Sequence, residues 1–372
     1  MKKILAFFLT LSMLLALAAC GGTSPSGQKS VSSLPEASSQ APESSGAAAD
    51  SKQKADNETA EYYLQKANEV VVTDTQVTFT DDTGRGELSV DKNPKKVAVL
   101  YGSLACLWYE AGGQVQSAIG GKSAVTLYKE QIGRDITQDE GVAVVSESSS
   151  GTNWDVETIL AQEPDLIICS VGMKGFETIS GPAEAANIPV IGIDYDSVQD
   201  YLKWFKVFCN LNGQPQLWDA VADKTAQGVI DVVSRVPEEG QAPRAIILVL
   251  SSDVLKAYTG ASQPGVILKE LGGVNLADPD NTQTAASVEI SMEDLYALAP
   301  DLIFLSEFGD TNLDTLKELY GEDPVWNSLD AVKENKLFSL EKALFHNKAN
   351  QKYDQSYRTM AQLLYPDMDF AG

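Results

Sequence analysis

Residues able to do chemistry are few in this chain. His346 is the only histidine, so a Ser-His-Asp arrangement would have to use it, and no G-x-S-x-G turn presents a serine. P-loop, G-x-G-x-x-G and H-E-x-x-H patterns are also missing. A single imidazole is poor material for a zinc or manganese centre, which draws on several. Asp278-Pro279-Asp280-Asn281 reads as a turn and not as a calcium loop. Cys20, Cys106, Cys169 and Cys209 form no C-x-x-C pair, and the last three sit in apolar or amphipathic runs where buried free thiols are expected. An enzyme is therefore not expected, nor a cofactor or resident metal. What the chain offers is aromatic rings interleaved with a few polar groups, the usual lining of a small-molecule pocket. The candidates are Tyr101, Ser103, Trp154, Met173, Lys174 and Tyr195 in the first half of the chain, and Tyr258, Glu307, Phe308, Lys342 and His346 in the second.

The elements that must position them are written twice. DVETILAQEPDLIICS (155–170) and SMEDLYALAPDLIFLS (291–306) match without gaps, placing Glu157 on Glu293, Pro164 on Pro300 and Asp165 on Asp301. Each copy reads as a capped helix, a Pro-Asp turn, and a strand apolar on both faces. KKVAVLYGSLACLWYEAGG (95–113) adds strand, helix and double glycine, and RAIILVL (244–250) with VILKELGG (266–273) repeats that plan. Further strands are expected at 117–120 and 188–194, a helix near 181–186, a helix over 60–72, and a hairpin over 77–90. Strands alternating with helices argue an α/β fold of two similar lobes with mostly parallel sheets. In open sheets of this kind ligands bind beyond the carboxyl ends of strands, where the pocket candidates fall.

Between the copies lie an amphipathic helix over 200–211 and a long one over 214–236, which would span roughly 30–35 Å. One stiff helix joining two lobes restrains their motion, with the ligand cleft between them. The expected divisions are 58–196 for the N-terminal lobe, 197–240 for the connecting helices and 241–372 for the C-terminal lobe.

The front end reads differently. Residues 1–19 carry Lys2 and Lys3 and then about 16 apolar or small residues, the plan of a secretory signal and short of the roughly 20 a membrane span requires. Leu17-Ala18-Ala19-Cys20 resembles the lipobox of bacterial lipoproteins, which would make Cys20 the lipidated first residue of the mature chain. Residues 20–57 are Ser, Ala, Pro, Gly and Glu with few large apolar groups, expected to stay disordered as a tether reaching on the order of 30–35 Å. The chain has 372 residues and a formal charge of −24, which becomes −26 without Lys2 and Lys3. That charge opposes binding to nucleic acid and electrostatic adhesion to anionic lipid.

VTFTDDTGRGELSV with NPKKVAVL, then NWDVETILAQEPDLII, the connector helix and SMEDLYALAPDLIFLS together resemble the substrate-binding lipoproteins of ABC importers for ferric siderophores, haem and cobalamin. The likeness covers about 76–367. It implies a bilobal protein with limited closure, monomeric and held to the extracytoplasmic face of the cell membrane by its lipid. It implies capture of a bulky chelate, an iron–siderophore first and haem or a corrinoid second, for delivery to an ABC permease dimer. In that family a glutamate on each lobe, seven residues before the motif proline, docks on the permease; here these are Glu157 and Glu293. A lipid-anchored sensor or adhesion domain without a transport role is the competing reading.

Overall fold

The structure is a computed structural model that describes residues 56–148, 153–237, 242–251, 254–348 and 350–370. The expected leader, Cys20 and nearly all of the tether lie outside the described residues. Among the described residues, no helix is long and apolar enough to cross a membrane.

Thr59 caps helix α1 (Ala60–Asn68) by accepting a hydrogen bond from the Tyr62 N–H at 3.2 Å. The helix stops short of the expected Val72. Val71–Val72 instead form strand β1, antiparallel to β2 (Gln76–Thr80), which pairs with β3 (Glu87–Asp91) in the expected hairpin. Consecutive β-branched residues suit that pairing better than a further helical turn.

The first lobe alternates β4 (Val97–Val99), α2 (Gly102–Glu110), β5 (Ser117–Ile119), α3 (Lys122–Gln131), β6 (Ala143–Ser146), α4 (Val156–Ala161), β7 (Leu166–Ser170), α5 (Gly175–Ala185) and β8 (Val190–Ile193). Its strands are parallel throughout, in the order β6-β5-β4-β7-β8. The chain runs outward from β4 to β6 and then returns to β7 on the other side of β4. The loops after β4 and β7 therefore diverge and leave a crevice between them.

Helices α6 (Val198–Leu211) and α7 (Pro215–Val233) follow. A reciprocal Ser197–Asp200 capping box starts α6, which buries Trp204, Phe205 and Phe208 against the first lobe. Nineteen residues give α7 a length of about 28 Å, slightly less than expected because it ends at Val233.

The second lobe holds β9 (Arg244–Ser251), β10 (Val254–Tyr258), α8 (Gln263–Glu270), β11 (Val274–Asn275), β12 (Ser287–Glu289), α9 (Met292–Leu298), β13 (Leu302–Ser306), α10 (Leu313–Tyr320), α11 (Pro324–Ser328), α12 (Asp330–Lys333), β14 (Leu337–Leu340), α13 (Lys342–Phe345) and α14 (Tyr353–Leu364). Its sheet order is β12-β10-β9-β13-β14, with β11 also on β9. β9, β11, β13 and β14 pair in parallel, while β10 is antiparallel to β9 and to β12.

The repeat has a physical cause visible in both lobes. Glu163 and Ala299, the residues before the two prolines, both adopt left-handed backbone, with φ of 52° and 45°. That conformation costs about 1–2 kcal/mol for a residue with a Cβ. The aspartate two positions on offsets the cost. Asp165 accepts from the Lys95 and Lys96 N–H groups at 2.7 and 3.0 Å, and Asp301 accepts from the Arg244 N–H at 3.3 Å. Each aspartate thus fixes the start of the neighbouring strand, β4 or β9, at roughly 1.5–3 kcal/mol per charged hydrogen bond.

The first helix ties the two lobes together. α1 packs on α6 and α7 and sends Tyr62 and Tyr63 across to Glu270, at the end of α8, with O···O distances of 3.1 and 3.2 Å. Tyr357 of α14 donates to the same carboxylate at 2.5 Å.

Candidate functional site

A cavity of about 210 Å³ opens where the strand ends of the two lobes face one another. Tyr101, the residue before α2, and Ser170, Asp194, Tyr195 and Asp196, at the ends of β7 and β8, wall it from the first lobe. Tyr258 at the end of β10, Gln263 at the start of α8, and His346 and Lys348 after α13 wall it from the second. A more open hollow of about 510 Å³ adjoins it, sharing Asp194 and Asp196 and adding Lys66, Asp82 and Asp200. Small-molecule pockets usually measure roughly 300–1,000 Å³, so a bulky ligand needs both spaces or a wider cleft.

The segment after α13 carries most of the contact between the lobes at this point. The Ser103 hydroxyl donates to the Asn347 carbonyl at 3.1 Å. Lys348 forms an ion pair with Asp196 and stands 5.2 Å from the centre of the Tyr195 ring. Burial works against the Lys348 charge, but the Asp196 carboxylate more than offsets it and holds the ammonium above its ordinary range. The Tyr195 hydroxyl donates to Asn350 Oδ1 at 2.7 Å, and Asn350 Nδ2 donates to Gln131 at 3.1 Å.

His346 lies 3.4 Å from the Tyr258 hydroxyl through Nδ1 and meets Phe308 edge-on at 4.8 Å between ring centres. Burial, then the nearby Lys342 and Lys348 charges, push its pKa down to about 4. The imidazole is therefore neutral at pH 7.

Of the residues singled out in the sequence, the structure brings Tyr101, Tyr195, Tyr258 and His346 to the wall of this cavity, with Phe308 against His346. Ser103 is buried behind it and holds Asn347. Trp154 is buried in the first-lobe core, and Met173 packs partly buried against that core. Lys174 is exposed before α5, Glu307 accepts from the Ser339 hydroxyl at 2.6 Å, and Lys342 is half-buried in α13. None of these last five lines the cavity. Sequence reading missed Asp196, Gln263 and Lys348. For Gln263 a signal existed: Ser262 and Pro264 mark a helix start after β10, and Ser262 does accept from the Gly265 N–H at 3.2 Å.

Glu157 and Glu293 are both exposed in the first turns of α4 and α9. The caps beneath them differ: Asp155 accepts from the Thr158 N–H at 2.9 Å, whereas Ser291 and Asp294 form a capping box. Cys106, Cys169 and Cys209 are free and buried.

Residues 97–344 match the periplasmic binding protein family, and the chain belongs to it. Among solved structures it is similar to the triscatecholate siderophore-binding protein FeuA of Bacillus subtilis, at 20% identity over 78% of this chain and 98% of that one, with a TM-score of 0.59. It is similar to the periplasmic haem-binding protein RhuT of Roseiflexus sp. RS-1, at 17% identity over 74% and 99%, with a TM-score of 0.57. The vitamin B12-binding protein BtuF of Vibrio cholerae gives 15% identity over 73% and 97%, with a TM-score of 0.57. None of the curated proteins matches the chain in sequence. The fold is thus the two-lobed α/β fold of this family. The family is extracytoplasmic; its members bind small ligands, work with ABC permeases and are not enzymes.

Proposed function

We propose that this chain captures an iron–siderophore-type chelate outside the cytoplasm and delivers it to an ABC permease dimer. The observation that carries the reading is the cavity walled by both lobes, with Tyr101 and Tyr195 opposite Tyr258 and His346. Aromatic faces with a few polar groups suit a large, partly apolar chelate. Residues 1–19 act as the signal, Cys20 carries the lipid, and 20–57 hold a monomeric binding body clear of the membrane. Residues 58–196 and 241–372 are the two lobes, joined through 197–240. Phe308 extends the aromatic wall, while Ser103, Trp154, Met173, Lys174, Glu307 and Lys342 frame the cleft around it. Titration of the full chain with ferric siderophores, haem and cobalamin, followed by tryptophan fluorescence, tests this directly. Saturable quenching by a ferric chelate supports it, and silence toward every ferric chelate contradicts it.

Haem is the second reading, favoured by the neutral His346 imidazole, which is competent to ligate iron. Met173, which does not line the cavity, would have to move to serve as a second ligand. A Soret band lost in His346→Ala would favour this reading. Glu157 and Glu293 serve permease docking. Glu157→Ala combined with Glu293→Ala should lower uptake into cells while leaving ligand affinity unchanged; full uptake by the double variant would exclude that role.

A further inference from the structure

The charges around the cleft restrict what it can hold. Two lysines line the hollows, Lys348 paired with Asp196 and Lys66 paired with Asp200 at 2.5 Å, and Lys203 reaches the lining Asp82 at 3.6 Å. A fourth lining carboxylate, Asp194, belongs to both hollows and is exposed; it makes no ion pair within contact distance among the described residues, and its charge adds to that of Asp196 in holding the Lys348 ammonium. No arginine lines either space among the described residues. The balance of these groups is one negative charge.

One buried acceptor is also left over. Gln263 is 2% exposed, and its Nε2 donates to the Leu344 carbonyl at 2.8 Å. Its Oε1 has no hydrogen-bond partner among the described residues. A buried acceptor left in this state costs about 1–3 kcal/mol, a cost that a ligand donor would remove. The helix start offers an anion at most the Gln263 N–H, because Pro264 has no N–H and the Gly265 and Val266 N–H groups bond to Ser262. The start of α2 contributes about half a positive charge, less than the one negative charge left over among the groups around the hollows.

Resting on the chelate-binding reading above, we infer that the ligand is an uncharged or cationic chelate that donates an N–H or O–H to Gln263 Oε1 and lies against Tyr101 and Tyr258. Ferric trishydroxamates meet this description, since three singly charged hydroxamates neutralise ferric iron. Ferric triscatecholates do not, because they retain three negative charges and, among the described residues, no unpaired cation lines either hollow. A pendant ammonium on the ligand is favoured by Asp194 and by the aromatic faces.

The test titrates the purified full chain with a neutral ferric trishydroxamate, one carrying a pendant ammonium, a ferric triscatecholate, haem and cobalamin. Both hydroxamates should bind, the cationic one at least as tightly, with the triscatecholate at least about 100-fold weaker. Gln263→Leu should weaken the hydroxamates about 10-fold, and Asp194→Asn should remove the preference for the ammonium. A triscatecholate that binds as tightly as the hydroxamates, or a Gln263→Leu variant with unchanged affinity and an intact fold by circular dichroism, overturns the inference. Binding of haem or cobalamin but of no ferric chelate overturns the chelate reading itself, and the inference with it.

Discussion

The two ends of helix α8 make opposite use of polar side chains. At its last residue, Glu270 receives three tyrosine hydroxyls, from Tyr62, Tyr63 and Tyr357, while its backbone carbonyl accepts from Asn57 at 3.4 Å. At its first residue, about 10.5 Å away along the axis, Gln263 leaves an acceptor unmet beside the cavity. The Glu270 carboxylate, met by three hydroxyls, stabilises the fold, although the neighbouring Asn57 Oδ1 also has no partner among the described residues; Gln263 differs in lining the cavity, where a ligand can complete its bonding. The comparison teaches where to look for function: at the end of the helix where unfinished bonding borders a cavity.

The largest expected effect lies at the saturated end. Glu270→Ala strands three tyrosine hydroxyls, two of them on fully buried rings. It should cost about 3–5 kcal/mol and lower the melting temperature by on the order of 5–10 °C, with ligand affinity unchanged. Thermal unfolding followed by circular dichroism measures it. Glu270→Gln keeps an acceptor and should cost less. A loss of affinity without loss of stability would break the contrast.

Glu110 sharpens it, because this carboxylate has a single tyrosine donor, Tyr201 at 2.8 Å. Burial raises its pKa to about 7, against only a partial lowering by Tyr201. A carboxyl that holds its proton more tightly when folded contributes most below its unfolded pKa of about 4.5, and that contribution is lost as pH rises through about 7. Glu110→Gln should therefore be more stable than the parent above pH 7, by up to about 3 kcal/mol, with the gain fading to zero toward pH 4.5. Urea unfolding at several pH values reads the slope. The smallest effect belongs to Lys122 and Asp310, which pair across the cleft at 3.1 Å while both remain exposed. Lys122→Ala should change stability by less than about 1 kcal/mol, with no difference left at high salt.

Much of the fold was legible because it is local. The Pro-Asp turns, the capped helices and the hairpin are set by residues within a few positions of one another, and the repeat doubled the signal. Boundaries failed where a distant partner decided them. Val71–Val72 left the helix to pair with β2. Helix α5 starts at Gly175 and carries Pro182 inside, although that proline reads as a first-turn residue. Helix α3 begins at Lys122 behind Gly121, which has no side chain to cap it, so nothing announced it. The aromatic half of the cavity could be read from strand ends, because a sheet places those positions predictably. Lys348 and Asp196 could not, since they meet only when the two lobes come together; Ser262 and Pro264 announced a helix start at Gln263 but not the cavity it faces.

Hydrogen–deuterium exchange with and without a saturating ferric chelate tests the contrast most directly. The account predicts slower exchange in peptides spanning 258–263 and 345–348, with no change at 60–68 or at the Glu270 end of α8. Protection at the Glu270 end, or none along the cavity wall, would contradict it.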